Sequence, residues 1–467
     1  MTPLDATFLD VEDAEPTSSM AIASISIFEG ASPSLDDITE LVTAALPHAP
    51  RYRQVVRPVP YDLGMPRWVD DPAFDVRNHI RHTALPPPGG DVELRHLMAR
   101  VMALRLFRDR PLWEVWLVDG LADNRWALIN KVHHCMVDGI AGVSLLREML
   151  SDTPEQCVPP SDDDWRPAAA PRDRTIVLEA VRDLAYEPAQ WGLALGRLAR
   201  HPRSTWSQVR DTGQGLLALS SAAVPLHSTS LFGPAGGGRR YRWTRTSLAD
   251  IGTVRKAFGG TMNDVVLSAI AGGFREVLIS RGEQCDPHAV RSLVPVSVRT
   301  RDTSGVLDNE VSVMLPYLPI EIADPVERLR VMHQRMTQLK ASKEAIAGET
   351  LVRLAGAEPP PLIALAVRTA LRLPQRTIGT VTTNVPGPKE PLYALGRPLI
   401  EILPYVPIAS TIRFGVALMT YCGKVAFGVT GDFDSTSDMD VLMSGIDETM
   451  SAMVDAATRE GAPAAVS

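Results

Sequence analysis

Cysteine is scarce in this chain: four among 467 residues, at positions 135, 157, 285 and 422, with neither metal-ligand nor disulfide spacing. Such usage suits a reducing compartment, so a cytoplasmic location is expected, with peripheral attachment to a membrane or lipid inclusion left open. A basic start followed by an apolar run is missing. Asp5, Asp10, Glu12, Asp13 and Glu15 crowd the first residues instead, and no secretory signal is expected there. Long hydrophobic runs are missing too. The best spanning candidate, residues 361–373, is short and interrupted by Arg368 and Arg372; it reads as an amphipathic helix with snorkelling arginines. A lipid surface is the other setting such a segment suits, as does the mean hydropathy of zero. Excess positive charge is absent: a formal net charge of −8 argues against nucleic acid and against bulk electrostatic binding to anionic membrane. No Gly-x-Ser-x-Gly elbow exists, which argues against a serine lipase. Gly236-Gly237-Gly238 lacks the strand-loop-helix setting of a phosphate-binding loop and reads as a flexible entry to a second domain.

The composition does supply a core. Hydrophobic residues make up 45% and charged residues 22%, globular proportions in a chain long enough for two domains. Over residues 1–155, strand-like runs such as 21–27 alternate with helical ones such as 92–106, which reads as one α/β domain. A segment rich in proline and aspartate comes next, with Pro154, Pro159, Pro160 and three aspartates at 162–164, and then a mainly helical stretch over 176–219. Residues 156–238 are therefore expected to form a linker and helical connection. A second α/β domain is expected over 239–467, with strands at 292–298, 311–315, 414–419 and 424–430. Ligand pockets favour such domain interfaces.

The densest chemistry lies at His133-His134-Cys135-Met136-Val137-Asp138-Gly139. The run 126–134 reads as a strand, and alternation along it puts Leu128, Val132 and His134 on one face and Ile129, Lys131 and His133 on the other. The two histidines are thus expected to differ in role. Beyond Gly139 the apolar spacing turns helical, so the motif sits on a strand-to-helix turn that presents side chains at the lip of a cavity. A neutral imidazole there can accept a proton from a hydroxyl near neutral pH. His134 is the expected base, His133, Asp138 and Gly139 its support, with Asp138 either orienting an imidazole or bracing the turn. A pair of satisfied core histidines is the competing reading, weakened by the Asp-Gly at fixed distance. Cys135 as an acyl-accepting thiolate is disfavoured because strand neighbours point apart; a small apolar filler fits better. Adjacent histidines on opposite faces do not easily share one ion, so no metal is expected.

Other candidates are less specific. Asn263-Asp264 stands at an expected helix start, where an N-cap and a lining role for the site are compatible. Thr383-Asn384 can donate hydrogen bonds to a developing oxyanion, and a Pro-Gly turn is the plainer reading of that segment. Trp113, after Pro111-Leu112, reads as a packing corner.

Taken together, these segments resemble the bacterial wax ester synthase/diacylglycerol acyltransferase family, within the CoA-dependent acyltransferases that carry a His-His-x-x-x-Asp-Gly signature. The resemblance rests on that motif, on Pro111-Leu112-Trp113-Glu114 and on Met262-Asn263-Asp264. It rests also on Pro3-Leu4-Asp5-Ala6-Thr7-Phe8-Leu9, on Trp68 to Pro72 with Phe74-Asp75, on 293–297 and on 383–388, in order along nearly the whole chain. Two positions depart: Met20 is followed by Ala21 where the family often has His, and Phe232 precedes Gly233-Pro234 where it often has Asn. The resemblance implies an α/β fold of two chloramphenicol-acetyltransferase-like subdomains with a tunnel between them. It implies a fatty acyl-CoA donor, a diacylglycerol or long-chain alcohol acceptor, and roles for Asn263, Asp264, Thr383 and Asn384 in substrate binding. No bound cofactor is expected, the acyl-CoA being a substrate. Transfer to another acceptor, such as a polyketide hydroxyl or an amine, and a non-catalytic lipid-binding homologue remain the rival readings.

Overall fold

The apolar runs around 21–29 and 125–133 pair antiparallel, Ala21 opposite His133 and Glu29 opposite Arg125, and form the middle of a six-stranded sheet. The computed structural model describes residues 1, 3–136, 145–155, 164–182, 229–301, 307–341 and 377–461. Asp138, Gly139, most of the linker and the amphipathic candidate at 361–373 lie outside the described residues.

In chain order the first half contributes α1 (Pro3–Ala14), β1 (Ala21–Glu29), α2 (Leu35–Ala45), β2 (Gln54–Arg57), β3 (Arg67–Asp70), β4 (Ile80–Ala84), α3 (Asp91–Ala103), β5 (Trp113–Leu121), β6 (Arg125–His133) and α4 (Leu145–Glu148). The second half contributes β7 (Arg239–Ser247), α5 (Leu248–Phe258), α6 (Met262–Ser280), β8 (Ser292–Arg301), β9 (Leu307–Met314), α7 (Pro325–Ala341), β10 (Thr380–Val385), β11 (Tyr393–Ala394), β12 (Arg397–Tyr405), β13 (Phe414–Tyr421), β14 (Lys424–Asp432) and α8 (Met439–Gly461). Strand β7 opens at Arg239, where the glycine-rich segment ends. Among the described residues no helix is long and apolar enough to cross a membrane.

Two mixed sheets organise these elements. The first has the order β11-β12-β1-β6-β5-β4, the second β7-β14-β13-β10-β8-β9. Strands β11 and β12 come late in the chain yet join the first sheet, β12 pairing with β1 from Ala23 opposite Tyr405 onward. The sheets therefore do not follow chain order throughout 239–467. The first core stacks Phe28 on Trp126, with centroids 4.3 Å apart, and buries Ile25, Ile129 and Met98. Four consecutive residues of β6, Trp126 to Ile129, are buried, as expected for a central strand covered on both faces. The second core is built on α6 against α8 and the second sheet, with Phe274 edge-on to Phe414. Those two helices approach closely because glycines face each other: a Cβ on Gly273 would lie 2.6 Å from the Leu442 carbonyl, and one on Gly445 would lie 2.8 Å from Gly273 Cα.

Candidate active site

Strand β6 ends at His133, and residues 134–136 form a single 3-10 turn. His134 is therefore on the turn rather than on the strand, although its N–H continues the ladder by donating to the Met20 carbonyl at 3.0 Å. Its ring stacks on Phe8 of α1, centroids 3.8 Å apart and 21° from parallel. Nδ1 is shut away from solvent with no hydrogen-bond partner, and Nε2 makes no hydrogen bond to the described residues. Burial pushes the imidazole down to about 4, the neighbouring His133 adding to the effect and His134's own carbonyl opposing it. The ring is thus neutral at physiological pH.

His133 is fully buried and tethered at both ring nitrogens. Nδ1 accepts the Cys135 N–H at 3.2 Å, while Nε2 lies 3.3 Å from Glu12 Oε2, an oblique contact rather than an aligned hydrogen bond. The first contact needs a lone pair on Nδ1, so the proton of the neutral ring sits on Nε2, facing the carboxylate. Glu12 is 1% exposed. Its Oε2 also accepts the Met20 N–H at 2.7 Å and its Oε1 accepts from Arg108 at 2.9 Å. Burial acts to raise the Glu12 carboxyl, but His133, the Met20 amide and Arg108 together hold it below its ordinary value. Burial likewise lowers His133 against the pull of Glu12. A charged Glu12 facing a neutral His133 satisfies both directions.

The rest of the surround is held by main-chain contacts. Lys131, two residues before His133 on the same face of β6, caps the end of α3 through the carbonyls of Val101 at 2.8 Å and Leu104 at 2.6 Å. Burial lowers its ammonium to about 8. Arg105, just beyond, donates to the carbonyls of Glu12, Glu15 and Ser18 and so ties α1 to α3. Trp113 opens β5 as a packing corner, its Nε1 donating to the Tyr52 carbonyl at 2.7 Å and its ring stacked on His79.

Cys135 is 1% exposed, and burial pushes its thiol up to about 12. A thiolate there at neutral pH is strongly disfavoured. Cys135→Ala is expected to keep turnover within about threefold of wild type, as for an apolar filler; loss of turnover in a protein with an unchanged melting curve would restore the acyl-thioester route.

The remaining candidates gather at the second sheet. The N-cap of α6 is Thr261, not Asn263: Thr261 Oγ1 accepts the Asp264 N–H and Asp264 Oδ2 accepts the Thr261 N–H at 2.7 Å, a capping box. Asp264 Oδ2 also meets His333 Nδ1 of α7 at 2.8 Å, while the buried Oδ1 is unpartnered. Asn384 Nδ2 on β10 donates to Asn263 Oδ1 at 2.8 Å. The structure thus brings Asn263, Asp264 and Asn384 together at one helix start, where they cross-link α6, α7 and β10. Thr383 is half-buried on the same strand. Glu12, Phe8 and His333 are the residues that sequence reasoning missed. For the first two the signal was the i, i+4 spacing of Phe8 and Glu12 in a helix whose inner face carries Asp5 and Leu9. A groove of about 540 Å³ lined by Arg147, Asp152, Lys389 and Tyr393 lies between α4 and β11, and none of the candidates above lines it.

This two-sheet architecture is shared with condensation domains of known structure. The starter condensation domain of rhizomide synthetase superposes with a TM-score of 0.58 at 14% identity, covering 98% of this chain and 94% of that one. A wax ester synthase/diacylglycerol acyltransferase from Marinobacter aquaeolei VT8 superposes with a TM-score of 0.65 at 24% identity, covering 98% and 99%. Residues 1–266 match the wax ester synthase/diacylglycerol acyltransferase catalytic domain and residues 307–454 the C-terminal domain of the same family. The chain belongs to the wax ester synthase/diacylglycerol acyltransferase family and is an acyltransferase. It is 37% identical over 456 residues to a probable diacylglycerol O-acyltransferase, tgs1, of Mycobacterium tuberculosis, covering 97% of this chain and 95% of that protein. A putative diacylglycerol O-acyltransferase of Mycobacterium bovis matches at the same identity and coverage.

Proposed function

We propose that the protein transfers a long-chain acyl group from acyl-CoA to the free hydroxyl of diacylglycerol, with His134 as general base. The observation that carries the chemistry is a neutral imidazole on a turn, packed on Phe8, with Nε2 unengaged by the described residues. Nε2 takes the hydroxyl proton as the oxygen attacks the thioester carbonyl. The tetrahedral intermediate then expels the CoA thiolate, which recovers the proton from the imidazolium. A base this weak makes full deprotonation of a free alcohol costly, so proton transfer accompanies attack rather than preceding it. What supports diacylglycerol as acceptor is the full-length likeness to proteins named for it; fatty alcohols are the alternative acceptor.

CoA release from oleoyl-CoA with diolein or hexadecanol, followed by separation of the lipid products, tests this reading. Acceptor-dependent release with triacylglycerol as the main product is expected. No release with either alcohol, or release only with amines, overturns it, and a dominant wax ester product corrects the acceptor.

A further inference from the structure

We infer that α1 is the positioning element of the reacting histidine, with Glu12 and Phe8 fixing the His134 ring from two sides. The inference rests on His134 being the base.

Two chains of contacts run from the single carboxylate of Glu12 to the backbone on either side of His134. In one, Glu12 Oε2 faces His133 Nε2, and the other nitrogen of that ring holds the Cys135 N–H. In the other, Glu12 Oε2 accepts the Met20 N–H, and the carbonyl of Met20 accepts the His134 N–H at 3.0 Å. The residues before and after the reacting ring, and its own amide, are thus referred to one buried anion. Phe8, one helical turn before Glu12 on the same side of α1, supplies the third restraint by stacking on the ring itself. Such restraint has a purpose here. A one-turn 3-10 segment at a strand end has few ladder bonds of its own, and a base displaced by about 1 Å can lose about 10²-fold in rate. Arg108 and Arg105 hold α1 in place from the segment after α3, and Lys131 anchors the end of α3 to β6, which closes the circuit on the strand that bears the motif.

The test compares Glu12→Gln, His133→Asn and the double variant in the oleoyl-CoA and diolein assay. Glutamine keeps the shape and a carbonyl for Met20 but removes the charge facing His133. Glu12→Gln is expected to lower kcat about tenfold or more while KM for oleoyl-CoA stays within about threefold. In the His133→Asn background the same change is expected to cost less than about twofold, because Glu12 acts through that ring. A kcat within about twofold of wild type, or losses that simply multiply in the double variant, overturns the inference. Should Glu12→Gln not fold, Phe8→Leu keeps apolar volume and removes the stack; it is expected to lower kcat with KM held, and an unchanged kcat overturns the inference equally. His134→Ala separates the two layers. If it leaves turnover intact, the base assignment itself falls. If it abolishes turnover while Glu12→Gln and Phe8→Leu do not, only the positioning role falls.

Discussion

Replacing His134 by alanine or glutamine is expected to lower kcat/KM for CoA release by about 10²- to 10⁴-fold, the range over which a positioned general base contributes. The folded protein should survive the change. Among the described residues His134 makes one main-chain hydrogen bond, which any residue retains, and its ring contributes the Phe8 stack, a contact of about 0.5–1.5 kcal/mol. An unchanged melting curve with lost turnover therefore assigns the effect to chemistry. The pH profile gives an independent check. With the imidazole held down to about 4, the wild-type kcat/KM should remain flat as pH falls past the ordinary histidine value near 6.5 and decline only at more acid pH. Stability carries the same sign. Between about 4 and 6.5 the unfolded chain binds a proton at this ring that the folded chain refuses, so the contribution of the neutral ring is full above 6.5 and fades as pH falls toward 4. A wild-type profile breaking near 6.5, or a His134→Gln variant retaining most of its turnover, sinks the assignment.

Much of this arrangement is legible in the sequence, for local reasons. Residues 126–134 read as a strand because β-prone apolar residues there are bounded by Asp123-Asn124 and a glycine, and β6 ends one residue short of His134. The strands β8, β13 and β14 come from similar runs. The separation of Lys131 and His133 from Val132 is a consequence of period-two alternation alone. The part that could not be read was long-range. Glu12 looks like one of several acidic residues near the N-terminus, and only the packing of α1 across β6 turns it into a buried partner of His133, 121 positions away. Asn263 reads as a cap because Asn favours that position, but Thr261 stands one residue before Met262 and takes the role, leaving Asn263 to meet Asn384. Asp138, read as a brace, lies outside the described residues.

Strand β12 was hidden for a different reason. Pro398 and Pro404 argue against a strand inside a sheet, since each lacks the N–H a ladder requires. Pro398 lies in the two-residue pairing with β11, opposite Tyr393, whereas Pro404 lies beyond it, where among the described residues no strand pairs with the outer side of β12. Its Pro404 carbonyl turns to the second half instead and accepts the Tyr241 hydroxyl of β7 at 2.7 Å. The strand that completes the first sheet thus also seats it against the second.

That seat makes Gly428 a position where a single methyl group should do heavy damage to the fold. Gly428 lies on β14 opposite Trp243 of β7, directly beneath the crossing of β12. A Cβ there would stand 1.8 Å from the Pro404 carbonyl oxygen and 2.9 Å from the Tyr241 hydroxyl. Neither obstacle is the free end of a flexible side chain. The carbonyl belongs to a strand paired along β1, and the hydroxyl belongs to a fully buried tyrosine bonded to that same carbonyl. Relief requires β12 to lift from β14, which opens the junction between the sheets and strains the β12–β1–β6 register that ends at His133. Gly428→Ala is therefore expected to cost about 3 kcal/mol, the upper part of the range for overpacking, with a melting point lower by several degrees and faster proteolysis. Turnover should fall with it, because β1 begins at Ala21, directly after Met20, whose carbonyl accepts the His134 N–H. Gly252→Ala is the matched control: its Cβ would meet nothing within 4 Å, and in helix α5 the exchange should be neutral or stabilising by about 0.5–1 kcal/mol. A Gly428→Ala protein that melts with wild type would mean that β12 is not pressed on β14 through this glycine, and that the two sheets are joined in some other way.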